Sequence, residues 1–207
     1  MIELNVSKLN KRFGNNLVLN NIDVNAASCV LGVAGSNGSG KSTFLKCISG
    51  LLKPTSGQVN WSANGTPIKE ENIKKSIGFA APYIQYYEEL TILENLNFII
   101  DLNETQDHLS IDELLDRVGM KSFSEKLYGE LSTGQQQRVK LAGALIHKPS
   151  ILILDEPGSN LDEKGRKIIE EIVSEHKKLR GMVVLASNQQ HELDMCDNIL
   201  HLQSEAK

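Results

Sequence analysis

Two apolar patterns alternate along the chain and predict alternating strands and helices. Continuous apolar runs at residues 29–34, 151–154 and 182–186 are typical of parallel strands buried on both faces. Residues 43–48 have apolar side chains at helical spacing, and residues 168–173 form one apolar helical stripe. Strands that alternate with helices in this way predict an α/β domain with a parallel sheet.

The first part of the chain has a different pattern, which predicts antiparallel pairing. Residues 2–6 and 17–24 are expected to be strands joined by turn residues 14–16. Short strands are also predicted at residues 58–61 and 77–81. An antiparallel β edge is therefore expected beside the parallel strands.

The middle of the chain predicts helices only. Three pairs have the spacing of a capping box: Thr91 with Glu94, Ser110 with Glu113, and Ser132 with Gln135. The sequence therefore predicts a single domain over residues 1–207. Its core is expected at about residues 1–82 and 148–207, and its inserted helical subdomain at about residues 83–147.

Composition restricts the classes of function. The chain has 207 residues, of which 40% are hydrophobic and 23% charged, as is ordinary for a soluble globular protein. Its net charge of −4 argues against a general nucleic-acid binder. Cys29, Cys47 and Cys196 lack paired spacing, so free thiols in a reducing cytoplasm are expected. No segment approaches the ~20 apolar residues that cross a bilayer, so any membrane part is expected from another chain.

A glycine-rich segment between the predicted strand at 29–34 and the helix at 43–48 fits G-x-x-x-x-G-K-[ST]. Its residues are Gly35, Ser36, Asn37, Gly38, Ser39, Gly40, Lys41, Ser42 and Thr43. The glycines let backbone N–H groups point at phosphate oxygens, Lys41 reaches the β- and γ-phosphates, and the Ser42 hydroxyl ligates Mg²⁺. The alternative is a chance glycine-rich turn, but the flanking elements place the phosphates at a helix N-terminus. The chain is therefore expected to bind a nucleoside triphosphate.

Two acidic residues follow the predicted strand at 151–154. Asp155, at the carboxyl end of a parallel strand, is expected to hold Mg²⁺ opposite Ser42. Glu156, one residue further on, is expected to polarise the attacking water. An ordinary turn after a strand is the alternative, but the phosphate loop upstream favours the functional interpretation.

A helix start near residue 131 indicates the class of nucleotide protein. Leu131-Ser132-Thr133-Gly134-Gln135 resembles the L-S-G-G-Q signature of the ATP-binding-cassette (ABC) ATPases, with Thr133 in place of the first glycine. The free N–H groups of such a helix start form an anion site. The resemblance implies a P-loop NTPase (RecA-like) fold, in which Ser132, Thr133, Gly134 and Gln135 contact the γ-phosphate bound by a second subunit.

The resemblance extends over most of the chain and implies two further nucleotide contacts. Phe13 matches the family's aromatic residue that stacks on adenine, with a core phenylalanine as the alternative. Residues 159–162 match the D-loop, which links the two catalytic sites of a dimer. Asp162 is also a candidate helix N-cap, and both roles are compatible.

Two positions depart from the family pattern. Pro82 stands where a glutamine usually contacts Mg²⁺ and the attacking water, so Gln85, three residues on, is the candidate substitute. Asn188 stands where a histidine usually contacts the γ-phosphate. Asparagine donates a hydrogen bond but carries no charge. His191 is expected to be solvated in the following helix. Slow hydrolysis with intact ATP binding is therefore expected.

The resemblance implies an ATP-binding and hydrolysing subunit of an ABC transporter. It would act as a homodimer or heterodimer on separate transmembrane permease subunits, in the cytoplasm at the inner face of the cell membrane, and use ATP and Mg²⁺. The short chain and residues 89–96 resemble the ATPase of the cytochrome c maturation haem exporter. Other exporters, a soluble ABC ATPase such as an iron–sulfur assembly factor, and a slow nucleotide sensor are the alternatives.

Three of the four tyrosines, Tyr83, Tyr86 and Tyr87, cluster where the predicted core passes into the helical subdomain. In ABC transporters this region receives a helix of the membrane subunit, and exposed tyrosines suit such a contact. Packing between the two subdomains is the alternative.

Overall fold

The computed structural model describes residues 1–102 and 107–203. Within these ranges the strands are β1 (Ile2–Phe13), β2 (Asn16–Ala27), β3 (Val30–Ala34), β4 (Ser56–Ala63), β5 (Thr66–Pro67), β6 (Ile77–Ala80), β7 (Ile151–Asp155), β8 (Met182–Ser187) and β9 (Asn198–His201). The α-helices are α1 (Lys41–Ile48), α2 (Glu70–Ser76), α3 (Ile92–Leu102), α4 (Ile111–Arg117), α5 (Thr133–Leu145), α6 (Glu163–Lys178) and α7 (Gln190–Leu193).

The strands form two sheets, one parallel and one antiparallel, as the sequence predicts. One sheet has the order β6-β7-β8-β3-β9, and all four neighbouring strand pairs in it are parallel. The other has the order β2-β1-β4-β5 and is antiparallel. All residues of β3, β7 and β8 are buried, because helices cover both faces of a parallel sheet. The expected α/β fold is confirmed.

Helices occupy the described chain between β6 and β7, where the only strand-type pairing is a single bridge between Thr91 and Leu127. The first of these helices begins at Ile92, directly after the predicted cap at Thr91, and residues 81–90 before it form irregular structure. The subdomain boundaries at 83 and 147 stay a prediction, and residues 103–106 lie outside the described chain. The two short elements β5 and α2 have no strong periodic pattern and were not predicted.

Two of the three capping boxes form. The Thr91 hydroxyl accepts from the Glu94 N–H at 3.1 Å, and Ser132 and Gln135 bond reciprocally. The prediction at Ser110 is wrong in part: α4 begins after it, but its side chain makes no capping hydrogen bond. Ser110 is exposed, and water can satisfy N–H groups at an exposed helix start.

Two apolar clusters cover opposite faces of the parallel sheet. One contains Leu152, Leu154 and Leu185 with apolar residues of α5 and α6. The other contains Ile151, Ile153 and residues of α1 and the antiparallel sheet. Neighbouring residues of β7 thus point to opposite clusters, as the period of a strand requires. This packing places the carboxyl ends of β7 and β3 at the same edge of the sheet, with β8 between them, and the site lies at that edge.

Candidate nucleotide-binding site

The segment of residues 35–43 connects β3 to α1 and curls around its own lysine. Lys41 Nζ donates to the carbonyl oxygens of Gly35 and Ser36, at 2.8 and 3.3 Å. Gly40 has a φ of 98° at the start of α1, and a Cβ there would lie 3.0 Å from the carbonyl oxygen of Val18. Glycine is therefore required at this tight approach to β2.

The residues of this loop divide into exposed and buried groups. Ser36, Asn37 and Gly38 are exposed, Gly35, Gly40, Ser42 and Thr43 are half-buried, and Ser39 and Lys41 are buried. An open cleft of about 340 Å³ is lined by Val18, Asn37, Gly38, Gly40, Lys41, Ser42, Thr43 and Glu156. Because Gly40 brings no capping side chain, the first N–H groups of α1 are available to an anion.

Asp155 ends β7 and is 1% exposed, yet neither carboxylate oxygen has a hydrogen-bond partner. Burial raises the pKa of this carboxyl; the nearby Ser42 hydroxyl opposes the shift, and the Glu156 charge adds to it. A buried carboxylate without a partner is costly, and a cation removes that cost. A carboxylate beside a hydroxyl is an oxygen ligand set that suits Mg²⁺. The residues present therefore fit the ion.

Glu156 lies beside the phosphate loop, where the sequence places it. Its Oε1 is 3.1 Å from Lys41 Nζ, and it is half-buried. Its backbone has a φ of 47°, uncommon for a residue with a side chain, and its N–H donates to the Ala186 carbonyl at 2.8 Å. Strained backbone at such a position is typical of functional sites.

Asn188 follows β8, whose last residue, Ser187, lies beside Ala34 of β3. Its Nδ2 donates to the Asn37 side-chain oxygen at 3.2 Å, which brings it to the phosphate loop. His191 is exposed on α7, as expected. Gln85 is exposed in the irregular segment before α3, and its substitute role stays a prediction.

Phe13 is 51% exposed at the end of β1, so the alternative of a core phenylalanine is wrong. Its Cα pairs with that of Asn16, two residues before the cleft-lining Val18. Lys11 Nζ lies 5.0 Å from the centroid of its ring. An exposed ring near the phosphate cleft is free to stack on a flat base.

The signature segment lies in a second cleft, of about 440 Å³, and not in the cleft of the phosphate loop. Its lining includes Ser132, Thr133, Gly134, Gln135, Asn160 and Asp162. Asp162 caps α6 by accepting from the Gly165 N–H at 2.9 Å, and it pairs with Arg138 of α5. The Gly165 hydrogen bond, with Arg138 assisting, lowers the pKa of Asp162. The signature and D-loop segments thus form one surface.

Three contacts near the site were missed by sequence reasoning. Tyr83 lies close enough to Asp155 that this carboxylate, after burial, raises the pKa of its phenol, although the tyrosine cluster predicts a partner contact. Lys140 Nζ donates to the Pro82 carbonyl at 2.9 Å, and Glu192 Oε1 accepts from the Gly158 N–H at 2.7 Å. The position of Tyr83 directly after Pro82 was the one available signal.

The cysteines and the tyrosine cluster lie outside the cleft of the phosphate loop. Cys29 and Cys47 are buried free thiols, and burial raises the pKa of Cys47 to about 11. Tyr83 and Tyr87 are 40% and 54% exposed, whereas Tyr86 packs against Tyr128 in the core. Tyr86 is therefore a packing residue, and a partner contact through Tyr83 and Tyr87 stays a prediction. Over the described ranges, no helix combines the length and apolar character needed to cross a bilayer.

Sequence and structure comparisons agree with this geometry. The family model described as ABC transporter matches residues 19–159. The chain is 32% identical to the uncharacterized ABC transporter ATP-binding protein YdbJ of Bacillus subtilis over 203 residues, which are 97% of this chain and 66% of YdbJ. The chain thus spans just under two thirds of that relative.

Two solved cassettes have the same fold. The dimeric structure of MJ0796, a bacterial ABC transporter cassette, has a TM-score of 0.83 at 26% identity and covers 97% of this chain and 94% of MJ0796. MJ0796 was also solved as a post-hydrolysis dimer with ADP and Pi. The structure of cbiO1 from Clostridium perfringens, part of the transporter complex cbiONQ, has a TM-score of 0.74 at 29% identity, covering 97% and 84%. The ABC-type P-loop ATPase fold is confirmed, and the chain belongs to the family of ABC transporter ATP-binding proteins.

Proposed function

We propose that this chain binds ATP with Mg²⁺ and hydrolyses the bond between the β- and γ-phosphates to drive a membrane transporter. The supporting observation is the buried, unpartnered Asp155 carboxylate beside the ion pair of Lys41 and Glu156. Lys41 and the N-terminus of α1 would hold the phosphates, and Asp155 with Ser42 would hold the cation. When bound, the cation neutralises charge on the phosphate oxygens.

Glu156 is the proposed base. Its carboxylate lies beside Lys41. A water between Glu156 and the γ-phosphate would be oriented by Lys41 and deprotonated by the Glu156 carboxylate. Asn188 would donate to a γ-phosphate oxygen from the opposite side, since it already lies at Asn37. Phe13 would stack on the adenine. Phosphate release by the purified chain with its membrane partner tests this activity, and release at the background rate would contradict it.

We also propose that two copies, or two related chains, complete each site. The signature and phosphate clefts are separate within one copy, so Ser132–Gln135 would act on ATP held by the partner. The dimeric MJ0796 structures support this arrangement.

An engineered crosslink tests the dimer. Ser36 of the phosphate loop and Thr133 of the signature are both exposed and therefore accessible to a crosslinker. The double variant Ser36→Cys, Thr133→Cys should form intermolecular crosslinks with a short bis-maleimide when Mg-ATP is present. The pair Ser36→Cys, Glu171→Cys, with Glu171 exposed on α6, is the control. Equal crosslinking of both pairs would overturn the head-to-tail dimer.

Separate transmembrane subunits at the inner face of the cell membrane are the proposed partners. Tyr87 and Phe98 stack edge to face at 5.3 Å and stay 54% and 40% exposed, a surface suited to a helix of such a subunit. Because cbiO1 belongs to a transporter complex, a membrane partner is the favoured choice over a soluble role. Co-purification of a transmembrane subunit with this chain from detergent extract tests the proposed partner. Phe98→Ser should weaken that co-purification. The haem-exporter likeness concerns the cargo and stays a prediction.

A slow nucleotide sensor is the second candidate function. It is favoured by Asn188, which lacks the charge of a histidine, and by Pro82, which has no amide side chain. ATP-dependent crosslinking without measurable turnover in the presence of the membrane partner would select this candidate.

A further inference from the structure

The peptide bond between Pro157 and Gly158 is held at both of its polar atoms by buried side chains. Gln137 Nε2 donates to the Pro157 carbonyl oxygen at 3.2 Å, and Glu192 Oε1 accepts from the Gly158 N–H at 2.7 Å. That carbonyl and that N–H belong to one planar peptide unit, so the two contacts fix the same plane. Gln137 is 5% exposed and Glu192 is 2% exposed, which excludes bulk water from both contacts. We call these four residues the peptide clamp.

Gly158 allows the Glu192 carboxyl to come this close. A Cβ at Gly158 would lie 2.3 Å from Glu192 Oε1, so any larger residue there would displace the carboxyl. The Gly158 carbonyl also accepts from the Leu161 N–H at 3.2 Å. Both sides of this glycine are therefore bonded, one to α7 and one to the D-loop.

The clamped peptide directly follows the proposed base. Glu156 has a φ of 47°, and its N–H donates to the Ala186 carbonyl at 2.8 Å. The Ser159 N–H donates back to the Glu156 carbonyl at 3.1 Å, which closes a turn around the clamped peptide. A residue with a side chain stays in the left-handed region only when its surroundings hold it there. The peptide clamp supplies such a constraint immediately after Glu156.

The two side chains of the clamp come from different segments of the proposed nucleotide site. Gln137 lies on α5, three residues after Gly134 of the signature segment. Glu192 lies on α7, four residues after Asn188, which contacts the phosphate loop. The turn that carries Glu156 is therefore tied both to the signature helix and to the segment that follows β8.

We infer that Gln137 and Glu192 are positioning residues, which hold the peptide after Glu156 so that its carboxylate is oriented toward the attacking water. This inference rests on the proposed ATP hydrolysis. Neither side chain is among the described residues that line the cleft of the phosphate loop, so both act through the backbone. Misplacing a reacting group by about 1 Å costs on the order of 100-fold in rate. The clamp should therefore affect the rate of hydrolysis and leave nucleotide affinity unchanged.

The variant Glu192→Leu tests the clamp, because leucine fills a buried position and cannot accept from the Gly158 N–H. In phosphate release with the membrane partner, kcat should fall about 10- to 100-fold. Affinity for a fluorescent ATP analogue with Mg²⁺ should stay within about 2-fold of the unmodified chain. Glu192→Gln keeps an accepting oxygen and should restore kcat to within about 3-fold. Gln137→Leu, which removes the other contact, should lower kcat in the same way.

Glu171→Leu is the matched control, since it makes the same substitution at an exposed position of α6. It should change neither kcat nor affinity. Equal kcat in Glu192→Leu and the unmodified chain would overturn the role of the clamp, and so would equal losses in Glu192→Leu and Glu192→Gln. A parallel loss of kcat and analogue affinity would show a general effect on the fold and overturn it too.

Hydrogen exchange of the Gly158 amide, followed by NMR in the nucleotide-free chain, tests the clamp without any variant. This amide should exchange at least about 10-fold more slowly than that of exposed Gly38, because its hydrogen bond is buried. Equally fast exchange would overturn the clamp alone. No phosphate release by the unmodified chain with its membrane partner would overturn the proposed function together with the positioning role.

Discussion

Lys41 Nζ, at the start of α1, lies 3.1 Å from Oε1 of Glu156, the residue that follows β7. Lys41 is 6% exposed, so this ion pair is largely shielded from solvent on the lysine side. A γ-phosphate that enters the cleft must share the same ammonium with Glu156. Lys41 is thus the positive group shared by Glu156 and the phosphate, and Lys41 and Glu156 can each be substituted separately.

Replacing Lys41 should abolish ATP binding. Lys41→Ala removes the ammonium that pairs with Glu156 and lies near Asp155, so both carboxylates would repel the phosphates without that positive charge. We expect ATP affinity to fall by about 100-fold or more, the size of effect seen when one partner of a buried charge pair is removed. Fluorescent ATP analogue titration measures it, with exposed Lys164→Ala as the control. An unchanged dissociation constant would contradict the phosphate-loop assignment.

Replacing the proposed base should separate binding from hydrolysis. Glu156→Gln keeps the side-chain shape and removes its charge, so turnover is expected to fall about 10²- to 10⁴-fold while ATP stays bound. The ATP-bound dimer should then accumulate in size-exclusion chromatography with Mg-ATP. Exposed Glu171→Gln should behave as the unmodified chain. A monomeric Glu156→Gln under these conditions would count against Glu156 as the base.

The signature glycine is sterically required. A Cβ at Gly134 would lie 2.7 Å from the backbone carbonyl oxygen of Asn160, so Gly134→Ala must displace the D-loop or the start of α5. We expect a loss of about 1–3 kcal/mol in the free energy of unfolding, measured in urea, and weaker ATP-dependent dimerisation. Glu171→Ala, at an exposed position of α6 outside the signature, serves as the control. Unchanged stability and dimerisation of Gly134→Ala would show that the D-loop yields without cost.

The buried Glu192 predicts a pH dependence of stability. Burial raises the pKa of Glu192 above its ordinary value of 4.5, while hydrogen bonds from Ser187 and Gly158 partly oppose the shift. The folded state favours the protonated form of Glu192. The contribution of this group to the free energy of unfolding is therefore complete below pH 4.5 and is lost as pH rises through its folded-state pKa.

Glu192→Gln removes this titration and keeps an oxygen that can accept from the Gly158 N–H. The free energy of unfolding of this variant, relative to the unmodified chain, should therefore increase as pH rises from 4.5 towards neutrality. Urea unfolding at several pH values measures the difference, with exposed Glu171→Gln as the control. Parallel stability profiles for Glu192→Gln and the unmodified chain would refute the prediction.

The sequence by itself determined the features that contiguous residues encode. The phosphate loop over residues 35–43 and the cap of α5 by Ser132 need only neighbours a few residues apart, so their chemistry is visible in the order of residues. The buried runs of β3, β7 and β8 predicted a parallel sheet because both of its faces must be apolar. Those elements set the fold class and the phosphate chemistry.

Only the tertiary structure decided which distant side chains meet at the ends of those strands. Asn188 reaches Asn37 across 151 positions, and Tyr83 lies close enough to Asp155 for this carboxylate to add to the raised pKa of its phenol. Both contacts depend on the order β6-β7-β8-β3-β9, which places the segments after β6 and β8 beside those after β7 and β3. Periodicity records which face of an element is apolar, but strand order follows from how all elements pack together, so no local pattern contains it.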